Sequence, residues 1–178
     1  MKQLMTLCAL TCALLLSGCA QKLPDHKAGY GMVAVPYNFI NRTKFGFLYS
    51  FEWQSSDDEE FSVLITKGTY SNDVAVSEPI PAGQYLVDTI VISTVTDVQV
   101  ESMHNKQIEK VKDPFVVDVR EGAITLIPYV YELEQYIQGD SVLFNNNFHF
   151  FQDDEQSFYY EKLQKREGID QWKIVTLK

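Results

Sequence analysis

The sequence predicts a mainly β domain, an antiparallel β-sandwich of about eight or nine strands carrying one C-terminal helix. Apolar and polar residues alternate with period two in segment after segment. Clusters of Gly, Pro, Asn, Asp and Ser punctuate them, and both patterns change after Phe151. With 178 residues, of which 46% are hydrophobic and 22% charged, the chain has the size and composition of one globular domain, not of a disordered or fibrous protein.

The first 18 residues hold Lys2, an apolar run over residues 4–16 (LMTLCALTCALLL) and then Ser17-Gly18, the layout of a secretory signal segment. Thirteen residues rising about 1.5 Å each reach about 20 Å, short of the roughly 30 Å hydrocarbon core, so the run is not expected to remain as a membrane span. Residues 19–29 (CAQKLPDHKAG) are polar and aperiodic, with Pro24 and Gly29, and read as a tether. Its r.m.s. reach is on the order of 20 Å. The domain itself is expected over residues 30–178.

Within it, alternation predicts strands over residues 31–40, 45–54, 61–67, 84–94, 98–101, 115–119, 123–136 and 142–151. Pro128 interrupts the longest, which is therefore expected at an edge or with a bulge. After Phe151, Asp153 is a candidate cap with Gln156 three residues on, and DEQSFYYEKLQKRE runs from acids to bases before Gly168. This predicts a helix with complemented dipole ends, its narrow apolar face made by Phe158, Tyr159 and Leu163. Residues 172–177 resume alternation as a last strand.

The 24 acidic against 15 basic side chains give a net charge of -9. Removing residues 1–18 takes away Lys2 and no acid, leaving 14 basic against 24 acidic side chains, or -10. Such a body repels phosphate backbones, so nucleic acid is not an expected partner. Cys8 and Cys12 lie in the segment to be discarded, leaving Cys19 alone, so the domain must hold together by packing without disulfides.

The junction Leu16-Ser17-Gly18-Cys19-Ala20 resembles the lipobox of bacterial lipoproteins at every motif position. The resemblance implies transfer of diacylglycerol to the Cys19 sulfur, cleavage before Cys19 by the lipoprotein signal peptidase and attachment to the bilayer in the cell envelope. Two or three acyl chains make a stable anchor where one is marginal. Ala20 after the cysteine resembles outer-membrane sorting in Gram-negative lipoproteins. Further on, Pro81-Ala-Gly-Gln-Tyr85-Leu-Val87 followed by Phe115-Val-Val-Asp-Val119-Arg-Glu-Gly122-Ala-Ile124 resembles the strand-turn-strand core of prealbumin-like, or carboxypeptidase-regulatory-like, sandwich domains. That likeness bears on fold and says little about function.

Two groups of residues are candidate ligand contacts. Phe45, Phe47, Tyr49, Phe51 and Trp53 fall on one face of one strand, either as core or as a platform for a sugar or protein partner. The opposite face, Gly46, Leu48, Ser50, Glu52 and Gln54, looks like a solvent side and favours core. Asn145-Asn146-Asn147-Phe148-His149 alternates amides with aromatics beside the helix entry. Asn145, Asn147 and His149 form either a turn or bulge, or a polar rim suited to a sugar or peptide. The acidic runs at residues 57–60 and 153–155 lack calcium-loop spacing, and His26, His104 and His149 are too scattered to suggest zinc. Gly139-Asp140-Ser141 is similar to an esterase block but lacks its downstream Asp-x-x-His and reads as a hairpin turn.

Together these readings predict an envelope lipoprotein that binds or scaffolds without catalysis, meeting the bilayer through Cys19 and an envelope protein or glycan through its domain. No catalytic residue, cofactor or metal is expected. Two other classes remain open: a hydrolase of envelope polymers, and an accessory subunit of a secretion or surface-polymer assembly.

Overall fold

The computed structural model describes residues 22–43, 49–54, 60–65, 70–94, 106–139, 141–152 and 154–177. Among the described residues, eleven strands and one α-helix run in the order β1 (Tyr30–Asn41), β2 (Tyr49–Gln54), β3 (Glu60–Ile65), β4 (Tyr70–Val76), β5 (Ile80–Pro81), β6 (Gly83–Thr94), β7 (Lys106–Val119), β8 (Ala123–Leu126), β9 (Tyr129–Gln138), β10 (Ser141–Phe150), α1 (Glu155–Gln164) and β11 (Lys173–Thr176). A 3₁₀ turn, Ile169–Gln171, joins α1 to β11. Among the described residues, no helix is long and apolar enough to cross a membrane.

The described residues are mainly β with one α-helix, but the expectation of antiparallel pairing throughout is corrected. β2, β3, β6 and β7 form a four-stranded antiparallel sheet, whereas the seven-stranded sheet is mixed. In it β1 pairs in parallel with both β8 and β9, and β8 in parallel with β11. Parallel neighbours need long crossovers, and the chain supplies them. The whole four-stranded sheet intervenes between β1 and β8, and the β9–β10 hairpin plus α1 between β8 and β11.

β8 and β9 behave as one strand interrupted at Ile127 and Pro128. The register against β1 moves by two residues between Ala34↔Leu126 and Tyr37↔Tyr131, which is the irregularity that Pro128 predicts. β10 continues the sheet beyond β9, its hairpin turned at Gly139 with φ 63°.

β1 is buried almost end to end because both of its faces are covered, which is why GMVAVPYNFI reads as a nearly continuous apolar run. Val33, Val35, Tyr37 and Phe39 point into a core shared with Tyr85 and Val87 of β6, Val117 and Val119 of β7, and Tyr131 and Leu133 of β9. Met32 and Ala34 point the other way, into a core with Val74, Ile124, Leu126, Trp172 and the helical Tyr159 and Leu163. The molecule thus has three layers, the helix on the mixed sheet and the mixed sheet on the antiparallel one.

The helix starts differently from its expectation. Asp153 lies outside the described residues, and the N-cap is Asp154, which makes no side-chain cap hydrogen bond. Glu155 reaches back instead, its Oε2 accepting from the Gln152 N–H at 2.8 Å. This satisfies a backbone donor near the helix entry as the returning half of a capping box does.

Candidate functional site

Two edge strands, β7 of one sheet and β10 of the other, flank an open side of the core between the two sheets. β7 does not follow β6 evenly: pairing passes from Val87↔Phe115 to Thr89↔Lys110, so one residue of β6, Asp88, stands opposite four residues of β7, 111–114. Pro114 has no N–H to give to a ladder and suits such a bulge. The bulge is anchored at its start, where Lys110 Nζ donates to Thr89 Oγ1 at 2.7 Å and lies 3.9 Å from Asp88.

The space between the bulge and β10 is a cleft of about 540 Å³. Aromatic rings line it. Phe115 meets Tyr129 at 4.6 Å between centroids and Phe148 at 5.7 Å, and Tyr129 meets Phe150 at 4.4 Å with the rings tilted by 39°. Most of these rings are half-buried, but Phe150 is 65% exposed. Lys112 and Asp113 lie on the bulge side and the three asparagines on the β10 side. Burial, and secondly the negative charge of Asp113, raise the Tyr129 phenol above its ordinary value, so it remains a neutral hydrogen-bonding group at neutral pH.

The alternation of β10 divides its residues between two faces. Phe144 and Phe148 pack on the inter-sheet core, whereas His149 reaches the helix side. There its ring lies between two carboxylates, Nδ1 3.6 Å from Glu132 and Nε2 3.2 Å from Glu155. Asn147 Nδ2 donates to Glu132 at 3.4 Å, and a shallow depression of about 130 Å³ is lined by Asn38, Ile40, Glu132, Glu134, Asn145 and Asn147. On the same strand Glu134 is ion-paired with Arg42. Among the described residues, no three His, Cys, Asp or Glu side chains form a group that could hold a metal ion.

The candidates read from the sequence fare unequally. Asn145, Asn147 and His149 come together along β10, at the border of the cleft. Leu16, Ser17, Gly18, Cys19, Phe45 and Phe47 lie outside the described residues. Tyr49, Phe51 and Trp53 are placed by their backbone in β2, opposite Ile65, Val63 and Phe61 of β3 and Thr94, Ile92 and Ile90 of β6. Sequence reasoning passed over the residues that build the cleft from the other side, Phe115, Tyr129 and the bulge. The available signal was Pro114 in an otherwise polar stretch, where a proline marks an edge or a bulge.

No family model matches this chain, and no curated protein does. A crystal structure of a protein from Bacteroides ovatus ATCC 8483, provisionally assigned to cell adhesion, aligns with 70% of the chain at 7% identity and a TM-score of 0.31. The chain spans 46% of that structure, less than half of its length. At that distance the functional reading has to come from the chain's own residues.

Proposed function

We propose that this chain is a lipoprotein of the cell envelope, anchored through Cys19, whose β domain is a non-catalytic binding module with the cleft between β7 and β10 as its contact surface. The observation that carries the reading is the aromatic lining of that cleft, with Phe150 65% exposed at Tyr129. A phenylalanine left in water forgoes roughly 1.5–3 kcal/mol of burial, which a ligand with an apolar face recovers on docking. Beside the rings stand groups that fix orientation: Asn146, on the face of β10 that carries Phe144 and Phe148, and the exposed Lys112, with Asn145 and Asn147 on the border of the cleft. Rings flanked by an amide and a cation suit the apolar face of a sugar or an aromatic side chain of a protein partner. The envelope address comes from the Leu16–Cys19 junction, and Ala20 directs it to the outer membrane in a Gram-negative cell.

The test is affinity purification of the full-length protein from intact envelopes after mild cross-linking, beside Phe150→Ser and Cys19→Ser variants. A partner or glycan retained by the parent, lost with Phe150→Ser and depleted with Cys19→Ser supports the reading. An identical set of retained molecules for parent and Phe150→Ser removes the cleft from it. A mature N-terminus other than a lipid-modified Cys19, read by mass spectrometry, removes the anchor.

A further inference from the structure

The polar segment before β1 reads as a loose tether, yet from Leu23 it is packed onto the domain. Leu23 is buried in the helix-side core, and its N–H donates to the Glu167 carbonyl at 2.9 Å. Trp172 Nε1 donates to the Pro24 carbonyl at 2.9 Å, and the His26 ring meets the same indole edge-on at 5.4 Å. Gln171 holds the segment twice, donating to Asp25 at 3.2 Å and accepting from the His26 N–H at 3.4 Å. The Gly29 N–H donates to Glu121 at 2.9 Å. Gly168, with φ 86°, fits closely beneath: a Cβ there would stand 3.1 Å from the Leu23 carbonyl oxygen. Little slack is left in a segment held at so many points.

We infer that the end of the domain formed by Leu23, the Ile169–Gln171 turn and the residue 120–122 turn faces the headgroup surface of the anchoring bilayer, with the cleft held on a flank away from lipid. This rests on the lipid anchor at Cys19. Four residue steps separate Cys19 from buried Leu23, at most about 14 Å of extended chain. The headgroup layer that this chain must cross is about 5–8 Å thick. The remaining slack is under about 10 Å, whereas the 12 residues of β1 extend for about 40 Å. A leash that is short compared with the body it holds restricts tumbling and selects the end nearest the attachment.

Charge acts in the same direction. At this end the exposed Lys22, Lys27, Arg120 and Lys173 balance Asp25, Glu121, Glu167 and Asp170, while the mature chain as a whole carries -10. An anionic leaflet therefore repels the rest of the body more than this end. Along the strands the cleft lies farther out. Phe148 pairs with Tyr131, which pairs with Tyr37, five residues or about 17 Å beyond Met32 of the helix-side core. A partner thus approaches from the side, between β7 and β10, without displacing lipid.

The experiment uses the lipidated protein reconstituted in vesicles containing lipids with nitroxide-labelled headgroups. Because signal-segment removal takes away Cys8 and Cys12 and lipid occupies the Cys19 sulfur, one introduced cysteine accepts a maleimide fluorophore alone. Labels at Asp170→Cys, near the leash, and Gln138→Cys, at the far end of β9, are compared. The expected result is at least threefold stronger quenching at 170 than at 138. Equal quenching in vesicle-bound protein overturns the orientation while leaving the anchor in place. A ten-residue Gly/Ser insertion between Gln21 and Lys22, which leaves the docked segment intact, should bring the two labels to similar quenching; an undiminished difference overturns the leash argument. If the parent protein itself takes the maleimide on Cys19, both the anchor and the inference fall.

Discussion

On the helix side of β1, Met32 and Ala34 sit in a core sealed by α1, by Trp172 and by the docked segment at Leu23; on the other side, the core of Val35, Tyr37 and Phe39 ends at an open flank between β7 and β10. The two covers differ in origin. α1 follows β10 almost immediately, and the segment at Leu23 precedes β1, so local chain closes the first core. The second is closed by a separate sheet whose edge strand bulges, and the gap between two such edges is a cleft. Tyr159 on the sealed side is 1% exposed, whereas Phe150 on the open side is 65% exposed. Complete covering marks a region whose task is stability, and incomplete covering of large rings marks one available for contact.

The sharpest way to break this contrast is to delete a large ring on the sealed side. Trp172→Ala removes a nearly buried indole together with its hydrogen bond to Pro24 and its contact with His26. The expected loss is about 3–5 kcal/mol in urea unfolding. A loss below about 1 kcal/mol would show that the sealed core is not what stabilises the domain.

Alkaline titration compares the two sides through their tyrosines. Burial, then the charge of Glu155, pushes the Tyr159 phenol far above its ordinary value of 10.0, against a smaller opposing effect of its hydrogen bond to Asn72. Tyr129 is also raised, by burial and then Asp113. A phenol that holds its proton more tightly folded than unfolded leaves the unfolded chain with fewer bound protons above its unfolded value. The contribution of such a group to stability is therefore level below about pH 10 and falls above it, by up to about 1.4 kcal/mol per pH unit. Tyr159→Phe should flatten most of that fall in urea titrations at pH 9–11, and Tyr129→Phe less of it. The reverse ranking would make the cleft, and not the helix side, the drier environment.

Much of the fold is legible in the sequence wherever one residue type dictates a local outcome. Alternation over residues 31–40 and 84–94 places β1 and β6 to within one residue at each end, and Pro128 marks the break between β8 and β9. The strand expected over residues 98–101 lies outside the described residues. β4 was not legible, because Asn72 and Asp73 sit in its middle; there Asp73 binds its neighbour's N–H, at Val74, and the Arg166 guanidinium at 3.4 Å, a contact 93 positions away in sequence. The first half of β7 is hidden in the same way by the charges of residues 109–113. Strand direction is illegible for a different reason: period two tells which residues share a face, not which strand lies alongside or which way it runs. For the site, the amide run at residues 145–147 stands out locally. The cleft needs Phe115, Tyr129 and Phe150 from three strands, and no spacing rule brings those together.

The smallest expected stability change falls where the functional change should be largest. Phe150→Ala removes a mostly exposed ring and one tilted ring contact with Tyr129, so the expected destabilisation is below about 1 kcal/mol. Phe115 and Phe148 still pack on the inter-sheet core, so the cleft keeps its walls and loses the ring at its mouth. Partner retention in envelope purifications should drop at least tenfold while the urea midpoint hardly moves. If Phe150→Ala instead destabilised the domain by as much as Trp172→Ala, the open flank would be core like the sealed one, and the ring's exposure would mark a structural edge, not a contact surface.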